Sequence, residues 1–274
     1  RNIIRNMGMH MGIDPKIPDP EYKRLSYQEY LKRYLRCVKG VDDNVKRLLD
    51  YLEKEKLLDN TIIIYTGDQG FMLGEHDYID KRWMYEESLR MPFLVRYPKK
   101  IKAGSRSDAI INNADFAPTL IDMAGGKVPN YMQGSSFKTI LETGSEPINW
   151  KKDTYYRYWM HMAHKHNNPA HFGIRTKEYK LIFFYGRDYK NNRDISAQKW
   201  ADNPASMSFF NTPPAWEFYD LKNDPYEMNN LYGQNNFQEV IKNLKGRLKE
   251  LRQELKEDDS KFPKIKEVVD SYWN

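Results

Sequence analysis

The sequence predicts an α/β fold for the first half of the chain and a smaller α+β unit for the second half. A short β-branched and aromatic run, residues 62–65, lies between turn-forming residues and has the composition of a strand buried on both faces of a parallel sheet. A long helical pattern precedes it, and aromatic strands followed by a charged helix come much later. We therefore expect an α/β domain over residues 1–148 and a subdomain with a small antiparallel sheet and a packed helix over residues 149–274.

Composition narrows the class of protein. The 274 residues are 40% hydrophobic and 30% charged, as is typical of globular chains, and no apolar run approaches the roughly 18 residues of a membrane span. The net charge of +6 favours anionic partners. Such partners include sulfated glycans, nucleic acids and membrane surfaces. Lysines and arginines are interleaved with acids and form no basic block, so the charge indicates only a bias toward an anionic substrate, and we expect no nucleic-acid partner. A single cysteine excludes an internal disulfide and leaves the cellular compartment open.

The helical pattern precedes the strand. Residues 1–25, with His10, lack periodicity and are predicted to be loop. Ser26 and Glu29 have the spacing of a capping box, and helical spacing then continues to about residue 56. The apolar positions are Leu31, Tyr34, Leu35, Val38, Val41, Val45, Leu48, Leu49 and Leu52. We expect this stripe to be core and the neighbouring Cys37 to be half buried.

Two polar residues follow the short strand directly. Asp68 and Gln69 lie between Gly67 and Gly70, just beyond the carboxyl end of the strand. In open α/β sheets this edge is where ligands bind, because only the loops beyond the strand ends can converge there. A carboxylate beside an amide oxygen suits Ca²⁺ or Mg²⁺ better than Zn²⁺. The pair therefore predicts ligands for one hard cation, with a simple glycine-flanked turn as the equal alternative.

Lys81 follows a dozen residues later, next to Arg82. It precedes a helical-looking stretch, WMYEESLR, that leads into a second strand at residues 92–97. A lysine returned to the same sheet edge could hold an anionic group against the cation, as a point charge with three donors. The alternative is an ordinary exposed surface lysine.

The remaining elements are read from turn residues and alternation. A helix is predicted from Asp115, with Pro118 in its first turn, to the Gly125-Gly126 pair. Residues 144–153 form the link into the second unit, and residues 186–214 are irregular. Strands are predicted at residues 172–175, 179–185 and 216–221, and a charged helix at about 237–256. The tail to Asn274 is expected to lie on the surface.

Four histidines lie close together between residues 155 and 171. They are His161, His164, His166 and His171. Such a cluster can indicate zinc, yet the surrounding Asn-Asn-Pro is loop chemistry and no cysteine or carboxylate completes a ligand set at a standard spacing. A loop that is solvated or contacts a substrate is the favoured interpretation.

These residues carry a resemblance to a known family. The run YTGDQGFMLGEHDYIDKRWMYEESLRMPFLVRYP resembles the second signature region of the formylglycine-dependent sulfatases, and its second half is similar to glucosamine-6-sulfatase-like carbohydrate sulfatases. The long helix, the segment NNADFAPTLIDMAG and the later segments FGIRTKEYKLIFFY and EFYDLKNDPYEMNNLY resemble further parts of that family. The resemblance implies part of an alkaline-phosphatase-like mixed sheet sandwiched by helices, followed by a carboxyl-terminal subdomain.

The resemblance also implies roles for individual residues. Asp68 and Gln69 match the second pair of metal ligands, and Lys81 matches the lysine that contacts the sulfate and stabilises the leaving ester oxygen. His76 matches a histidine common in this branch, near the reacting groups or facing the substrate. The resemblance further suggests substrate contacts from Arg82 and from two of the clustered histidines, His161 and His171. It implies a sulfated saccharide substrate, Ca²⁺ or Mg²⁺, and a periplasmic, secreted or lysosomal location.

One signature of the family is not in this sequence. Its formylglycine nucleophile is made within Cys/Ser-x-Pro-x-Arg, but Cys37 is followed by Val-Lys-Gly, and in the run that begins Ser145-Glu-Pro147, Asn149 stands where arginine is required. We therefore expect a carboxyl-terminal half of a sulfatase, with the nucleophile and a further aspartate pair in a missing amino-terminal half. Two alternatives stay open: a phosphoester hydrolase of the same superfamily, against which Gln69 argues, and a non-catalytic binding module derived from a sulfatase.

Overall fold

The structure, a computed structural model, describes residues 10–163, 168–189 and 211–273. They form two compact units: unit 1 contains the residues up to Lys81 and Glu87–Ser105, and unit 2 contains Arg82–Glu86 and the residues from Arg106 onward. This division differs from the single boundary at residue 148 that the sequence suggested. Among the described residues, no helix is both long enough and apolar enough to cross a bilayer.

Unit 1 begins with the long helix α1 (Glu21–Lys54). Its first half packs through aromatic side chains: Tyr34 stacks on Phe71 with ring centroids 5.7 Å apart, and Tyr27 lies against Gly74. The predicted capping box is wrong. The helix begins five residues before Ser26, and the buried Ser26 hydroxyl donates to the Tyr22 carbonyl at 2.7 Å, a bond of the helix interior.

From Leu35 onward, the apolar stripe of α1 forms no core with the other described residues. Leu35, Val38, Val41 and Leu48 are 45–54% exposed, and Cys37 is exposed as well. The helical periodicity was therefore read correctly, but the prediction that the whole stripe is buried here was wrong. Periodicity identifies which face of a helix is apolar and carries no information about what covers it.

Two short strands of unit 1 pair with each other, and the predicted ligand loop directly follows the first of them. Strand β1 (Ile63–Thr66) pairs with β4 (Phe93–Arg96) in an antiparallel register that places Thr66 opposite Phe93. The prediction of a strand buried in a parallel sheet is not met in the described chain, because β4 is the partner of β1 here and Tyr65 and Leu94 are exposed. The strand itself and the loop at its carboxyl end lie where the sequence predicted them.

A small hairpin lies between these strands. Strands β2 (Met72–Leu73) and β3 (Ile79–Asp80) pair antiparallel, with Met72 opposite Asp80. The short helix α2 (Glu86–Leu89) then leads back to β4. The chain therefore leaves β1, folds back on itself through the hairpin and returns antiparallel to its starting strand.

Unit 2 is built on a four-stranded antiparallel sheet. Its strands β5 (Asp153–Tyr158), β6 (His171–Thr176), β7 (Tyr179–Phe184) and β8 (Ala215–Asp220) pair in sequence order. Two helices, α3 (Phe116–Met123) and α4 (Lys138–Thr143), precede the sheet, and α5 (Gln238–Glu254) and α6 (Pro263–Tyr272) follow it. The predicted helix after Asp115, the three later strands and the charged helix are confirmed, whereas β5 and α6 were not predicted.

The two faces of this sheet differ. Alternate residues such as Phe172, Leu181 and Phe218 point to one face, where they form a core with Leu244 and Leu248 of α5. Ile265 and Val269 of α6 join this core, so the tail is packed rather than surface-bound. The other face carries polar side chains, among them Lys180 and Glu217.

Candidate functional site

The predicted ligand pair lies in the loop immediately after β1. The Asp68 side chain is exposed and that of Gln69 is partly buried. Within the described chain, neither side chain takes part in a hydrogen bond or an ion pair. Their oxygens are therefore free to accept from, or coordinate, a group outside this chain.

Gly70 secures this loop against α2. Its backbone N–H donates to the Ser88 carbonyl at 2.9 Å, and a Cβ atom at this position would lie 2.1 Å from the Glu87 carbonyl oxygen. Only glycine permits so close an approach of two backbones. Gly70 therefore allows the loop and the backbone of α2 to lie in direct contact.

The hairpin returns Lys81 toward the same loop. Met72 lies opposite Asp80 at the end of the hairpin, so Lys81 directly follows the residue that pairs with Met72, and Met72 is three residues after Gln69. Opposed Cα atoms in an antiparallel pair are about 4.5–5.5 Å apart. Lys81 is half-buried, and within the described chain its ammonium group has no hydrogen-bond or ion-pair partner. A cationic side chain without an internal partner therefore starts from a backbone position close in the fold to the acid and amide pair.

His76 lies at the turn of the hairpin. Its backbone has φ 52°, a left-handed conformation that is uncommon for a residue with a side chain. The ring Nε2 lies 3.8 Å from Oε2 of Glu87, and both side chains are largely buried, at 12% and 18% exposure. This distance exceeds a hydrogen bond but lies within ion-pair range for a protonated ring.

Arg82 belongs to unit 2. Its backbone is also left-handed, at φ 88°, and its carbonyl oxygen accepts a 2.9 Å hydrogen bond from the Tyr156 hydroxyl. Burial raises the pKa of this hydroxyl, so it is protonated and donates. The contact involves the backbone of Arg82 and leaves the predicted role of its guanidinium as a prediction.

His161 and His171 lie inside unit 2, at 1% and 0% exposure. Nδ1 of His161 accepts from the backbone N–H of Ala170 at 3.1 Å. Nδ1 of His171 lies 2.7 Å from the Pro169 carbonyl, which only accepts, so this nitrogen carries the hydrogen. Burial lowers the pKa of His171 to about 4. The structure gives no support to direct substrate contact by these two rings, and that role stays a prediction. His164 and His166 lie outside the described residues.

The side-chain oxygens of this loop are of the type that binds a hard cation, but they would form only part of its ligand set. Asp68 supplies an anionic oxygen and Gln69 a neutral one, and neither has a partner among the residues that the structure describes. Among residues 10–163, 168–189 and 211–273, no three histidine, cysteine or acidic side chains cluster as a complete metal site. Ca²⁺ takes six to eight oxygen ligands, so this pair would be one part of a larger set.

Two family models match this chain. A model described as "N-sulphoglucosamine sulphohydrolase, C-terminal" matches residues 74–198 and 187–254, and the general sulfatase model matches residues 4–126. The chain therefore belongs to the sulfatase family.

Comparison with individual proteins shows which kinds of sulfatase this chain is similar to. The chain is 47% identical over 244 residues to the N-acetylglucosamine-6-O-sulfatase of Bacteroides thetaiotaomicron, covering 89% of this chain and 38% of that protein. The solved structure of BT4656 in complex with its substrate, D-glucosamine-2-N,6-O-disulfate, matches with a TM-score of 0.77 and 44% identity, covering 89% of this chain and 44% of that one. The chain thus spans well under half the length of the relatives it matches.

A more distant solved structure shares the fold alone. The phosphonate monoester hydrolase of Agrobacterium radiobacter matches with a TM-score of 0.62 at 22% identity, covering 85% of this chain and 41% of that one. Together with the sulfatase structure, it confirms the predicted fold class, a mixed α/β architecture of the alkaline-phosphatase-like type with an antiparallel carboxyl-terminal sheet.

Proposed function

We propose that the whole protein to which this chain belongs hydrolyses a sulfate ester on a carbohydrate. The observation that supports the proposal is the hairpin register, in which Met72, three residues after Gln69, pairs with Asp80, the residue before Lys81. The 47% identity to an N-acetylglucosamine-6-O-sulfatase supports a sulfated amino sugar as the substrate class. The net charge of +6 agrees with an anionic substrate.

The proposed role of each candidate residue follows from the charge of its side chain. Cleavage of a sulfate monoester moves a sulfuryl group between two oxygens, and negative charge develops on the leaving oxygen. Lys81 would contact the sulfate and donate to that leaving oxygen, holding the ester in line. Asp68 and Gln69 would hold a hard cation, Ca²⁺ or Mg²⁺, which when bound supplies Lewis-acid polarisation of the sulfuryl oxygens. His76, kept in place beside Glu87, and Arg82 would contact the sugar around the ester.

We assign the nucleophile to a part of the protein outside this chain. The motif from which formylglycine is made is not found in residues 1–274, so we propose that it lies, with the remaining metal ligands, in an amino-terminal portion. Family likeness also favours a periplasmic, secreted or lysosomal location. This chain alone would therefore bind part of the substrate without turning it over.

The test is a charge-neutral substitution of the proposed ligand in the full-length protein. For Asp68→Asn we expect loss of at least about 10³-fold in kcat/KM on glucosamine 6-sulfate, because the ligand charge that holds the cation is removed. The loss should be accompanied by a higher Ca²⁺ concentration for half-activation, and chelation followed by Ca²⁺ readdition should restore the wild-type enzyme.

The matched control is Asp42→Asn, an equal charge change at an exposed position on α1. It should leave activity and Ca²⁺ dependence unchanged. Full activity in Asp68→Asn would remove that carboxylate from the site. If the wild-type protein hydrolyses phosphate or phosphonate esters and leaves sulfates intact, the phosphoester alternative is correct. Saccharide binding without hydrolysis of either ester would establish the binding-module alternative.

A further inference from the structure

The five residues that follow Lys81 in the chain lie against the polar face of the unit 2 sheet. We call these residues, Arg82–Glu86, the anchor segment; they belong to unit 2, whereas the residues on either side belong to unit 1. Side chains on alternate positions of a strand point to opposite faces, so the residues that meet the anchor segment are those that do not face α5 and α6. Each residue of the anchor segment has its own contact on that face.

The contact nearest to Lys81 is made by β5. The Tyr156 hydroxyl donates to the Arg82 carbonyl at 2.9 Å, one residue beyond Lys81. Next, the Trp83 ring stacks at 6.0 Å on the ring of His171 in β6. The first two residues after Lys81 are therefore held by a hydrogen bond from a tyrosine hydroxyl to the backbone and by an aromatic stack.

The middle of the segment is held by close packing. Met84 is fully buried, and a Cβ atom on Gly173 of β6 would lie 2.5 Å from its sulfur. The Tyr85 hydroxyl donates to the carboxylate of Glu217 in β8 at 3.0 Å. Burial raises the pKa of Tyr85 and also that of Glu217.

Glu86, the last residue of the anchor segment, is held by ion pairs. Arg175 of β6 donates to both oxygens of the Glu86 carboxylate, at 3.2 and 3.0 Å, and the Lys180 ammonium of β7 lies 2.9 Å away. Lys180 is fully buried and also pairs with Glu227 at 2.5 Å, and Glu227 accepts from the Glu86 backbone N–H at 2.6 Å. Burial raises the pKa of Glu86, but Lys180 and Arg175 outweigh it and hold the pKa at about 2. Glu86 is therefore ionised and fixed by two cations.

We propose that this face of the sheet positions Lys81 for ester cleavage, and that Tyr156 is the positioning residue closest to it. The inference rests on the proposed function of Lys81. A lysine side chain has four rotatable bonds, so the position of its ammonium depends on where its backbone is held. The contacts between the anchor segment and the sheet, beginning with that of Tyr156, restrain the backbone on the carboxyl-terminal side of Lys81. These contacts are remote from the reacting ester.

The test is a double-mutant cycle between Lys81 and Tyr156 in the full-length enzyme. Tyr156→Phe removes one hydroxyl and keeps the ring, so the fold should survive. We expect it to lower kcat roughly 10-fold on glucosamine 6-sulfate, a poor leaving group, with little change in KM, because displacement by about 1 Å is costly at a reacting centre. On 4-nitrophenyl sulfate, whose leaving oxygen needs little stabilisation, the loss should be no more than about twofold.

In a Lys81→Met background, Tyr156→Phe should cause no further loss on the sugar sulfate, since the group it positions is gone. Tyr155→Phe is the matched control, because it removes a hydroxyl from the same strand but from the opposite face, where Tyr155 packs against the helix-side core. It should leave the dependence on the leaving group unchanged. Glu86→Gln, which weakens the far end of the segment, should give the same leaving-group signature as Tyr156→Phe.

The results of these measurements distinguish the positioning role of Tyr156 from the proposed catalytic role of Lys81. If Lys81→Met shows a loss that depends on the leaving group while Tyr156→Phe and Glu86→Gln do not, the positioning inference is overturned and the role of Lys81 stands. If Tyr156→Phe lowers activity equally on both esters and equally in the Lys81→Met background, the hydroxyl is merely structural and the inference is again overturned. If Lys81→Met itself shows no such dependence, the proposed function of Lys81 fails first.

Discussion

Two lysines in this chain, one in each unit, differ in their surroundings. Lys81 in unit 1 is half-buried and has no ionic partner among the described residues. Lys180 in unit 2 is fully buried between the carboxylates of Glu86 and Glu227. A buried charge is stable only when it is paired, whereas a charge that must meet a substrate has to be left without a partner. The difference indicates which ionic group supports the fold and which one is available for chemistry.

The largest expected effect concerns the buried lysine. Lys180→Met should lower the free energy of unfolding by about 3–5 kcal/mol at pH 8, because two carboxylates lose a buried partner. Even with Lys180 present, burial raises the pKa of Glu227 to about 7. Protonation of Glu227 should therefore make the loss smaller at pH 5. Denaturant titrations of the full-length protein at both pH values measure this, and a loss below about 1 kcal/mol at pH 8 would contradict it.

The same substitution at the other lysine should change activity instead. Lys81→Met should lower kcat on glucosamine 6-sulfate by about 10²–10³-fold, because a donor to the leaving oxygen is lost. Its unfolding midpoint should match that of the wild type, since Lys81 has no partner in the described part of the chain. Lys100→Met, at an exposed position on the loop after β4, is the control for both measurements. A large drop in stability with normal turnover would reverse the assignment of the two lysines.

The buried face of unit 2 should also make stability depend on pH through His171. Its pKa of about 4 in the folded chain is below the ordinary value of 6.5, so the unfolded chain binds the proton more readily. The contribution to stability is present above pH 6.5 and is lost as pH falls through 4, with a total of about 3 kcal/mol. His171→Phe should flatten this part of the profile in chemical denaturation between pH 7 and 4. An unchanged slope would show that the ring is not buried as described.

The smallest effect is expected at a third lysine. Lys46 on α1 is 72% exposed and pairs with Asp50 one helical turn away. Exposed pairs of this kind are screened by solvent and salt. Lys46→Met should therefore leave both the unfolding midpoint and kcat unchanged within error in the same assays. A measurable effect there would show that exposure alone does not separate the three lysines.

The sequence predicted the neighbourhood of the candidate site well, because the signals there are local. A β-branched run followed by Gly67, an acid, an amide and Gly70 describes a strand and its loop without help from distant residues. The sequence also predicted that Lys81 returns toward this loop; the hairpin pairs Met72 with Asp80 directly before Lys81, and the position of the ammonium group stays a prediction. The roles of these side chains stay predictions until the substitutions are tested.

Elements without a clear pattern were missed. Strand β5 reads Asp-Thr-Tyr-Tyr-Arg-Tyr, with aromatic or charged residues on both faces, so alternation does not reveal it. One face of β5 packs toward the core and the other supplies Tyr156 to the anchor segment. In α1, Ser26 and Glu29 fit the capping motif equally well inside a helix, and only the hydrogen bond to Tyr22 distinguishes the two cases.

By itself, the sequence determined the turn chemistry, the periodicities and the residue types of the ligand loop, because each depends on neighbours within a few positions. Only the tertiary structure decided which charges meet. Glu86 and Glu227 are joined across 141 positions, and no local pattern marks Lys180 as the cation placed between them. The physical reason is that burial turns a polar side chain into a group that must find a partner, and burial is a property of the folded chain.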